Sequence, residues 1–148
     1  MAKRIHQMTI PQFEKAFPDE SHCAAYLVAH RWPVAVRCPR CGSEKVAPMA
    51  TMEFKWQCYN CNVDSGYRFS VLVGTIFENT NKPLRDWFQV VNLMTTSKKG
   101  IIALQVQRQV GFGSYTTAHG MCHKIRAAMI PPQEKLGGIV EVDETYVG

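Results

Sequence analysis

Residues 38–61 read CPRCGSEKVAPMATMEFKWQCYNC, and the cysteines in this stretch determine how the surrounding chain folds. Cys38 and Cys41 form one C-x2-C pair, Cys58 and Cys61 form a second, and sixteen residues separate the two pairs. Two thiolates at this spacing bind one ion from a tight turn, and two such turns complete a tetrahedron with Zn–S distances of about 2.3 Å. Because the protein supplies all four ligands, the pattern predicts a structural Zn2+ rather than a catalytic one.

Two other cysteine chemistries are compatible with six cysteines in a short chain: a disulfide framework and a redox dithiol. The N-terminal stretch MAKRIHQMTIPQFEK lacks the apolar core of a secretion signal, and disulfides are rare in the reducing cytosol. A redox C-x-x-C requires a single pair, usually beside a βαβ pattern that this sequence lacks. These observations favour the zinc site. Cys23 and Cys122 lie on apolar helical stripes and are predicted to pack in the core.

Three short strands are predicted around the cysteine pairs. They lie within EKVAPMA (44–50), MEFKWQC (52–58) and YRFSVLVG (67–74). This predicted zinc ribbon, residues 38–81, contains little apolar area, so Zn2+ binding is expected to supply much of its folding free energy, on the order of 10 to 16 kcal/mol in zinc-finger peptides. Residues 1–37 are predicted to form a helical cap, with one helix in TIPQFEKAF and a second one capped by Asp19.

Helical periodicity returns over residues 82–129 and predicts three short helices. The first has Pro83 near its first turn and carries an apolar stripe: Leu84, Trp87, Phe88, Val91 and Met94. The second ends at Gly111 and places one apolar set on a single face: Ile102, Val106 and Val110. The third begins at a Ser114 cap and carries another stripe: Ala118, Cys122, Ile125 and Met129. The predicted fold class is therefore α+β, a small antiparallel zinc ribbon followed by a three-helix unit.

Positive charge is concentrated in the predicted three-helix region. The chain has a formal net charge of +5, and residues 82–129 contain seven basic residues and one acidic residue, Asp86. From Glu134 onward the sign reverses. This pattern favours polyanion binding in the middle of the chain and cation binding at its end, although a solvated helical surface would carry similar charge. No run of eighteen apolar residues is present, so we expect a cytoplasmic protein without a membrane-spanning helix.

Two helices joined by a short glycine-containing turn, the second one basic on its outer face, are typical of a helix-turn-helix that binds double-stranded DNA. IIALQVQRQV, GFG and SYTTAHGMCHKIRAAM follow this order, so the third helix is the predicted recognition helix. Lys98 and Lys99 are expected to contact phosphates. The remaining predicted DNA contacts lie on the recognition helix or at its start: Ser114, Tyr115, Thr116, Thr117, His119, His123 and Lys124.

Other interpretations of this region stay open. A plain three-helix bundle would show the same periodicity. His119 and His123 are spaced i, i+4, which suits a second metal ion, but such a pair is more often part of a solvated face. Gly120 inside the helix costs about 1 kcal/mol relative to alanine. This glycine either permits close approach of another backbone or has no role.

Residues 130–148 begin with the breaker-rich linker PPQEKLGG and continue into a predicted strand that carries Asp143. An aspartate on a strand can hold metal in a phosphoryl-transfer site, where two Mg2+ ions roughly 3.5 to 4 Å apart clamp the attacking and leaving oxygens. Most strand aspartates are merely exposed. Asp143 alone therefore says little about function.

The order of these parts resembles the N-terminal portion of a bacterial insertion-sequence transposase, from the family that joins a zinc ribbon and a helix-turn-helix to a DDE-type catalytic domain. The resemblance begins near Phe13 and rests on CPRCGS, CYNC, RFSVLVGTIFENTNKPLRDWF, GIIALQVQRQVGFGSYTTAHGMCHKIRAAM and VEVDETYVG. It implies that Asp143 is the first catalytic carboxylate, on the first strand of an RNase H-like fold. It also implies that the ribbon and the helices bind the terminal inverted repeats of the element.

The sequence departs from this family in two places. The stretch TTAHGMCHKI has smaller and less basic residues than the resemblance leads us to expect, and the later acidic residues of the active site are missing. One carboxylate cannot position two divalent ions. We therefore expect a truncated transposase that binds DNA and is catalytically inactive alone. This expectation is compatible with a homo-oligomer. Mg2+ would be needed only by the complete catalytic domain. The alternatives are a stand-alone zinc-ribbon transcriptional regulator that binds DNA and a zinc-ribbon protein-interaction module.

Overall fold

The computed structural model describes residues 3–61 and 66–130, which fold into five α-helices and one three-stranded antiparallel sheet. The described part therefore has the predicted α+β architecture. The helices are α1 Ile10–Ala16, α2 Glu20–Arg31, α3 Leu84–Thr96, α4 Ala103–Val110 and α5 Tyr115–Met129. The strands are β1 Val46–Pro48, β2 Lys55–Cys58 and β3 Tyr67–Ser70, and a 3-10 turn, Ile5–Gln7, precedes α1.

The sheet has β2 at its centre, paired with β1 on one side and β3 on the other. Its core contains three buried residues, Cys38, Cys58 and Phe69. The Phe69 ring centroid lies 6.1 Å from those of both Trp32 and Trp56, so aromatic packing covers one face of the sheet. A core of this size buries too little apolar area to hold a sheet by itself, so the ribbon needs another source of stability.

The larger core lies between the helices and is built on aromatic side chains. Phe17 packs edge-on against Phe88 of α3 at 5.1 Å and against Tyr26 of α2 at 5.2 Å. Phe77, which follows the sheet, packs against Trp87 of α3 at 5.5 Å. Such edge-to-face pairs add about 0.5 to 1.5 kcal/mol each beyond the area they bury. Helices from both sides of the ribbon therefore share one core.

A single carboxylate joins α2 to the start of α3. Pro83 is the N-cap residue of α3 and provides no side-chain hydrogen bond to the helix. The carboxylate of Glu20, the first residue of α2, instead accepts hydrogen bonds from the backbone N–H groups of Leu84 (2.9 Å) and Arg85 (2.8 Å). Helix N-termini leave such donors without partners, and a carboxylate there is also favoured by the helix dipole.

Arg31 connects the end of α2 to the ribbon. Its Nη1 donates a hydrogen bond of 2.7 Å to the carbonyl of Val71, just after β3. Its guanidinium carbon lies 4.8 Å from the ring centroid of Trp32. Burial lowers the pKa of Arg31 from its ordinary value. The ribbon is therefore attached to the helical part through a partly buried cation as well as through the chain.

Several sequence predictions about caps and cores are confirmed. Asp19 is the N-cap of α2, and its carboxylate accepts a 2.9 Å hydrogen bond from the His22 N–H. Gly111 ends α4 with φ of +89°, the left-handed conformation that glycine adopts without strain. Cys23 and Cys122 are fully buried in the helical core.

Two predicted core positions in the C-terminal helices are wrong. Ile102 is 66% exposed because it is the N-cap of α4, and the neighbouring Ile101 enters the core instead. Met129 is 50% exposed because α5 ends there, beyond the last residue of its buried stripe, Ile125. Both errors lie at helix ends, where periodicity no longer fixes which way a side chain points.

No helix in the described ranges combines the length and apolar character needed to cross a membrane. The predicted linker and terminal strand, including Asp143, lie from residue 131 onward outside the described residues. Their predicted structure, and the domain boundaries proposed from the sequence, remain predictions.

Candidate metal centre and nucleic-acid interface

The four cysteines of the ribbon converge on one point. Their Sγ atoms all lie within 4.8 Å of one another. Cys38 Sγ lies 3.6 Å from Cys61 Sγ, and Cys41 Sγ lies 3.7 Å from Cys58 Sγ. A tetrahedral ZnS4 centre with bonds of 2.3 Å has S–S edges of about 3.8 Å. The donor set and its dimensions therefore fit Zn2+ with only small adjustments.

The first cysteine pair lies on a tight turn held by the backbone. The carbonyl of Cys38 accepts a 2.8 Å hydrogen bond from Gly42 N–H, and the N–H of Cys38 donates a 3.0 Å bond to Ser43 O. Gly42 has φ of +72°, a conformation that costs other residues about 1 to 2 kcal/mol. This turn directs both thiols of the pair to the same side.

The second pair begins at the end of β2. Cys58 is opposite Val46 of β1 and Tyr67 of β3, so both neighbouring strands fix its position. Asn60 lies between the second pair of cysteines, and its side-chain amide donates to Cys41 Sγ at 3.7 Å. Hydrogen bonds of this kind orient a ligand and stabilise its thiolate form. The two turns thus support each other across the site.

Hydrogen bonds from the backbone and among the thiols shift two cysteine pKa values in opposite directions. The Ser43 backbone N–H and then the Cys61 thiol lower the pKa of Cys41 to about 6. The Cys41 thiol is the main reason that the pKa of Cys61 rises to about 12. Thiols this close cannot all ionise by themselves, whereas a divalent cation at the centre deprotonates its thiol ligands. The cluster is therefore built to share its negative charge with a metal ion.

The predicted recognition helix, α5, presents most of its predicted contact residues to solvent. Ser114 is its N-cap residue without a side-chain capping bond, and Thr117 is half-buried. The other predicted residues on this helix are exposed: Tyr115, Thr116, His119, His123 and Lys124. The rings of Tyr115, His119 and His123 form a row, with centroids 5.8 Å and 6.4 Å apart and the two imidazoles nearly parallel.

Lys98 and Lys99 do not join the residues at the start of α5. Both are exposed in the connection between α3 and α4. Lys99 lies beside Arg126 and Met129 in the last turn of α5. Since a helix rises 1.5 Å per residue, the two ends of α5 are roughly 20 Å apart. The predicted contacts therefore include one group at the start of the helix and one beside its last turn, with His119, His123 and Lys124 between them.

Sequence reasoning missed a loop that lies against α5. Asn79, Asn81 and Lys82 precede α3 in the chain and line one side of a cleft of about 230 Å3. The other side is formed by α5 residues that include Thr116, Thr117, Gly120 and Lys124. The polar run NTNK before Pro83 could have indicated this loop. More than thirty residues of sequence separate the run from α5, so the sequence could not predict their contact.

Comparisons with known proteins agree with the ribbon assignment. Residues 18–63 match the family model described as the transposase zinc-ribbon domain. The chain is also 32% identical over 133 residues to an uncharacterized protein in the transposable element ISH50 of Halobacterium salinarum. That match covers 90% of this chain and 44% of the relative, so the chain spans less than half of the relative's length. No solved structure matches the chain.

The matched range begins just before α2 and includes all four cysteines. The cluster geometry and the family match therefore support the same assignment independently. Residues 18–63 are therefore similar to transposase zinc-ribbon domains, and Cys38, Cys41, Cys58 and Cys61 form a cluster that fits structural Zn2+.

Proposed function

We propose that this chain is the DNA-binding portion of an insertion-sequence transposase and that it binds the terminal inverted repeats of its element through α5. The observation that carries this proposal is the exposed, basic and aromatic face of α5 in a chain whose residues 18–63 match the transposase zinc-ribbon domain. The curated relative is named as a protein in a transposable element, which agrees with this role.

The packing of α4 and α5 supports a helix-turn-helix. Phe112, in the turn between these helices, is buried, and so the turn is anchored to the core. The inner face of α5 packs against the core through Ala118, Met121, Cys122 and Ile125. Because these residues occupy one side of the helix, the opposite side is free for the major groove, which admits an α-helix.

The two groups of contacts along α5 have different roles in this proposal. Tyr115, Thr116 and His119 lie near its N-terminal end, the part of a recognition helix that contacts base edges. Lys98 and Lys99 at the other end contact phosphates, which fix orientation without reading sequence. The ribbon adds further exposed cations: Arg40, Lys45, Lys55 and Arg68. Asp143 remains the proposed first carboxylate of a DDE site, outside the described residues.

Fluorescence anisotropy with two labelled duplexes tests this proposal. One duplex carries the terminal inverted repeat of the element that contains the coding sequence, and the other is a shuffled duplex of the same composition. We expect both to bind at low salt and the terminal repeat to bind at least about tenfold more tightly, since one specific base contact discriminates by about 1 to 3 kcal/mol. Thr116→Ala should reduce this preference.

Two other outcomes would favour different functions. Equal affinity for both duplexes would remove the assignment to element ends and leave a DNA-binding protein of another kind, such as a regulator. Absence of binding to either duplex at low salt would overturn all DNA-binding roles and favour a protein-interaction module. A variant with both Cys58 and Cys61 replaced by serine serves as the control that lacks the metal site.

A further inference from the structure

We propose that a backbone phosphate of the bound duplex occupies the cleft between residues 79–82 and α5, close to the backbone of Gly120. The proposal rests on the DNA-binding function proposed above and adds an element to it. The loop before α3 would contact DNA together with the recognition helix.

The composition of the cleft suits an anion. It has a volume of about 230 Å3 and is lined by two lysines, two asparagines and three threonines, together with Trp87, Gly120 and Met121. No acidic side chain is among these lining residues. Ammonium, amide and hydroxyl groups are the donors that proteins use to bind DNA phosphates.

The loop is held in place by hydrogen bonds that leave its asparagines free. Thr80 Oγ1 accepts a 2.8 Å bond from the Trp87 indole N–H and a 3.1 Å bond from the Lys82 N–H. Asn79 adopts φ of +56°, a left-handed conformation that asparagine tolerates better than most residues. Within residues 3–61 and 66–130, the side-chain amides of Asn79 and Asn81 form no hydrogen bond. The loop therefore presents unused donors on a fixed backbone.

In the described part of the chain, the ammonium groups of the two cleft lysines lie over aromatic rings and have no carboxylate partner. Lys82 Nζ lies 5.9 Å from the ring centroid of Phe112, and Lys124 Nζ lies 6.0 Å from that of Trp87. Burial raises the pKa of Asp86, and Lys82 opposes this rise from a distance longer than that of an ion pair. Neither lysine forms an ion pair within the described part of the chain. Both ammonium groups can therefore bind a phosphate without first breaking a salt bridge.

Gly120 is the cleft residue at which the space beside the helix can be tested. It lies in the middle of α5, where glycine is less favourable than alanine. A Cβ built on Gly120 would meet no atom outside its own turn within 4 Å, so the fold does not require a glycine here. A ligand lying against the helix backbone would require one, because an added methyl group would fill the space of the ligand.

Gly120→Ala separates this role from a structural one. We expect the melting temperature to rise by roughly 2 to 4 °C, because alanine favours the helix. We expect the affinity for duplex DNA to fall roughly tenfold, because the phosphate moves away from its charged donors. A stabilised protein with weaker DNA binding is the result that a purely structural glycine would not give.

Lys82→Gln gives a second measure and has Lys15→Gln of α1 as its charge-matched control. We expect Lys82→Gln to reduce the slope of log affinity against log salt by about 0.9, the value for one phosphate contact. Lys15→Gln should leave this slope unchanged. Thermal melting of both variants checks that the fold is retained.

Free inorganic phosphate shares the chemistry of the proposed ligand. Side-chain amide chemical shifts of Asn79 and Asn81, recorded with duplex alone and with inorganic phosphate alone, distinguish the two sources. Shifts with duplex support the proposal, whereas shifts with phosphate only would overturn it. If the wild type binds DNA and both variants, Gly120→Ala and Lys82→Gln, bind it with the same affinity, the phosphate site in the cleft is contradicted but the proposed function is not. Absence of wild-type DNA binding would overturn both this proposal and the proposed function.

Discussion

Glu20 connects two parts of the chain that are 64 residues apart in sequence. Its carboxylate accepts hydrogen bonds from two backbone N–H groups at the start of α3, where Pro83 provides no side-chain cap. The sequence identified Cys38, Cys41, Cys58 and Cys61 correctly because their spacing is local within each pair. It could not identify the role of Glu20, because that role depends on how α2 and α3 pack.

Replacing Glu20 by alanine tests this connection. We expect a loss of about 2 kcal/mol in the free energy of unfolding, because two helix donors lose a charged acceptor. Glu20→Gln retains one acceptor oxygen and should lose less. Urea denaturation followed by circular dichroism measures both. Equal stability of the alanine variant and the wild type would show that water replaces the carboxylate without cost.

The cap of α2 should make stability depend on acidity. The His22 side chain, followed by the His22 backbone N–H, lowers the pKa of Asp19 below its ordinary 3.8. Since the carboxylate is favoured in the folded state, its contribution is present above pH 3.8 and is lost as the pH falls through the lower folded value. Asp19→Asn should therefore flatten the stability curve below pH 4. The prediction is contradicted if the melting temperatures of the variant and the wild type fall equally steeply below pH 4.

At the scale of elements, the ribbon and the C-terminal helices differ in what the sequence could predict. All three strands lie within the predicted segments, since each segment adjoins a cysteine turn. The helix stripes were predicted well in their middles and wrongly at Ile102 and Met129. Hydrophobic periodicity locates a buried face, but the first and last residues of a helix depend on caps and neighbouring elements.

Metal removal should affect the ribbon more than the helices. Because its core has only three buried residues, the ribbon is expected to unfold when a chelator removes Zn2+, since metal binding supplies much of its folding free energy. In a Trp87→Phe variant, which retains only Trp32 and Trp56, near-ultraviolet circular dichroism from tryptophan reports on the ribbon, and far-ultraviolet circular dichroism reports mainly on the helices. Retention of the tryptophan signal in metal-free protein would rule out a structural role for zinc.

Two cysteine variants provide a matched comparison at this scale. Cys58→Ser should abolish the binding of one zinc ion per chain. Cys122→Ser places a hydroxyl in the fully buried helical core and should lower stability by about 1 to 3 kcal/mol while zinc content stays at one. Zinc analysis by mass spectrometry of the purified variants gives the stoichiometry. Loss of zinc from both variants would mean that the two cores are not independent.

At the scale of the whole molecule, positive charge is distributed along α5 and beside it rather than at one point. Lys98 and Lys99 lie near its C-terminal end, whereas Lys82 and Lys124 line the cleft that runs along α5 from Thr116 to Lys124. The sequence predicted a basic surface from composition. It could not predict this division, because the positions of the loops relative to α5 depend on contacts distant in sequence.

This distribution predicts additive salt dependence. Replacing Lys98 and Lys99 together by glutamine should reduce the salt slope of DNA binding by about 1.8, and Lys124→Gln by about 0.9. The triple variant should show the sum, because the two groups contact different phosphates. Anisotropy titrations over a range of salt concentrations measure these slopes. A triple variant with the slope of either parent would indicate that only one group reaches the DNA.

The edges of the ribbon sheet have a consequence for how two copies of the protein can meet. β1 is an outer strand of only three residues and ends at Pro48, which has no N–H to offer another strand. Short, proline-containing edges resist joining to a neighbouring sheet. The β1 edge therefore disfavours a continuous intermolecular sheet, and two molecules that meet on this side of the ribbon would associate through other surfaces.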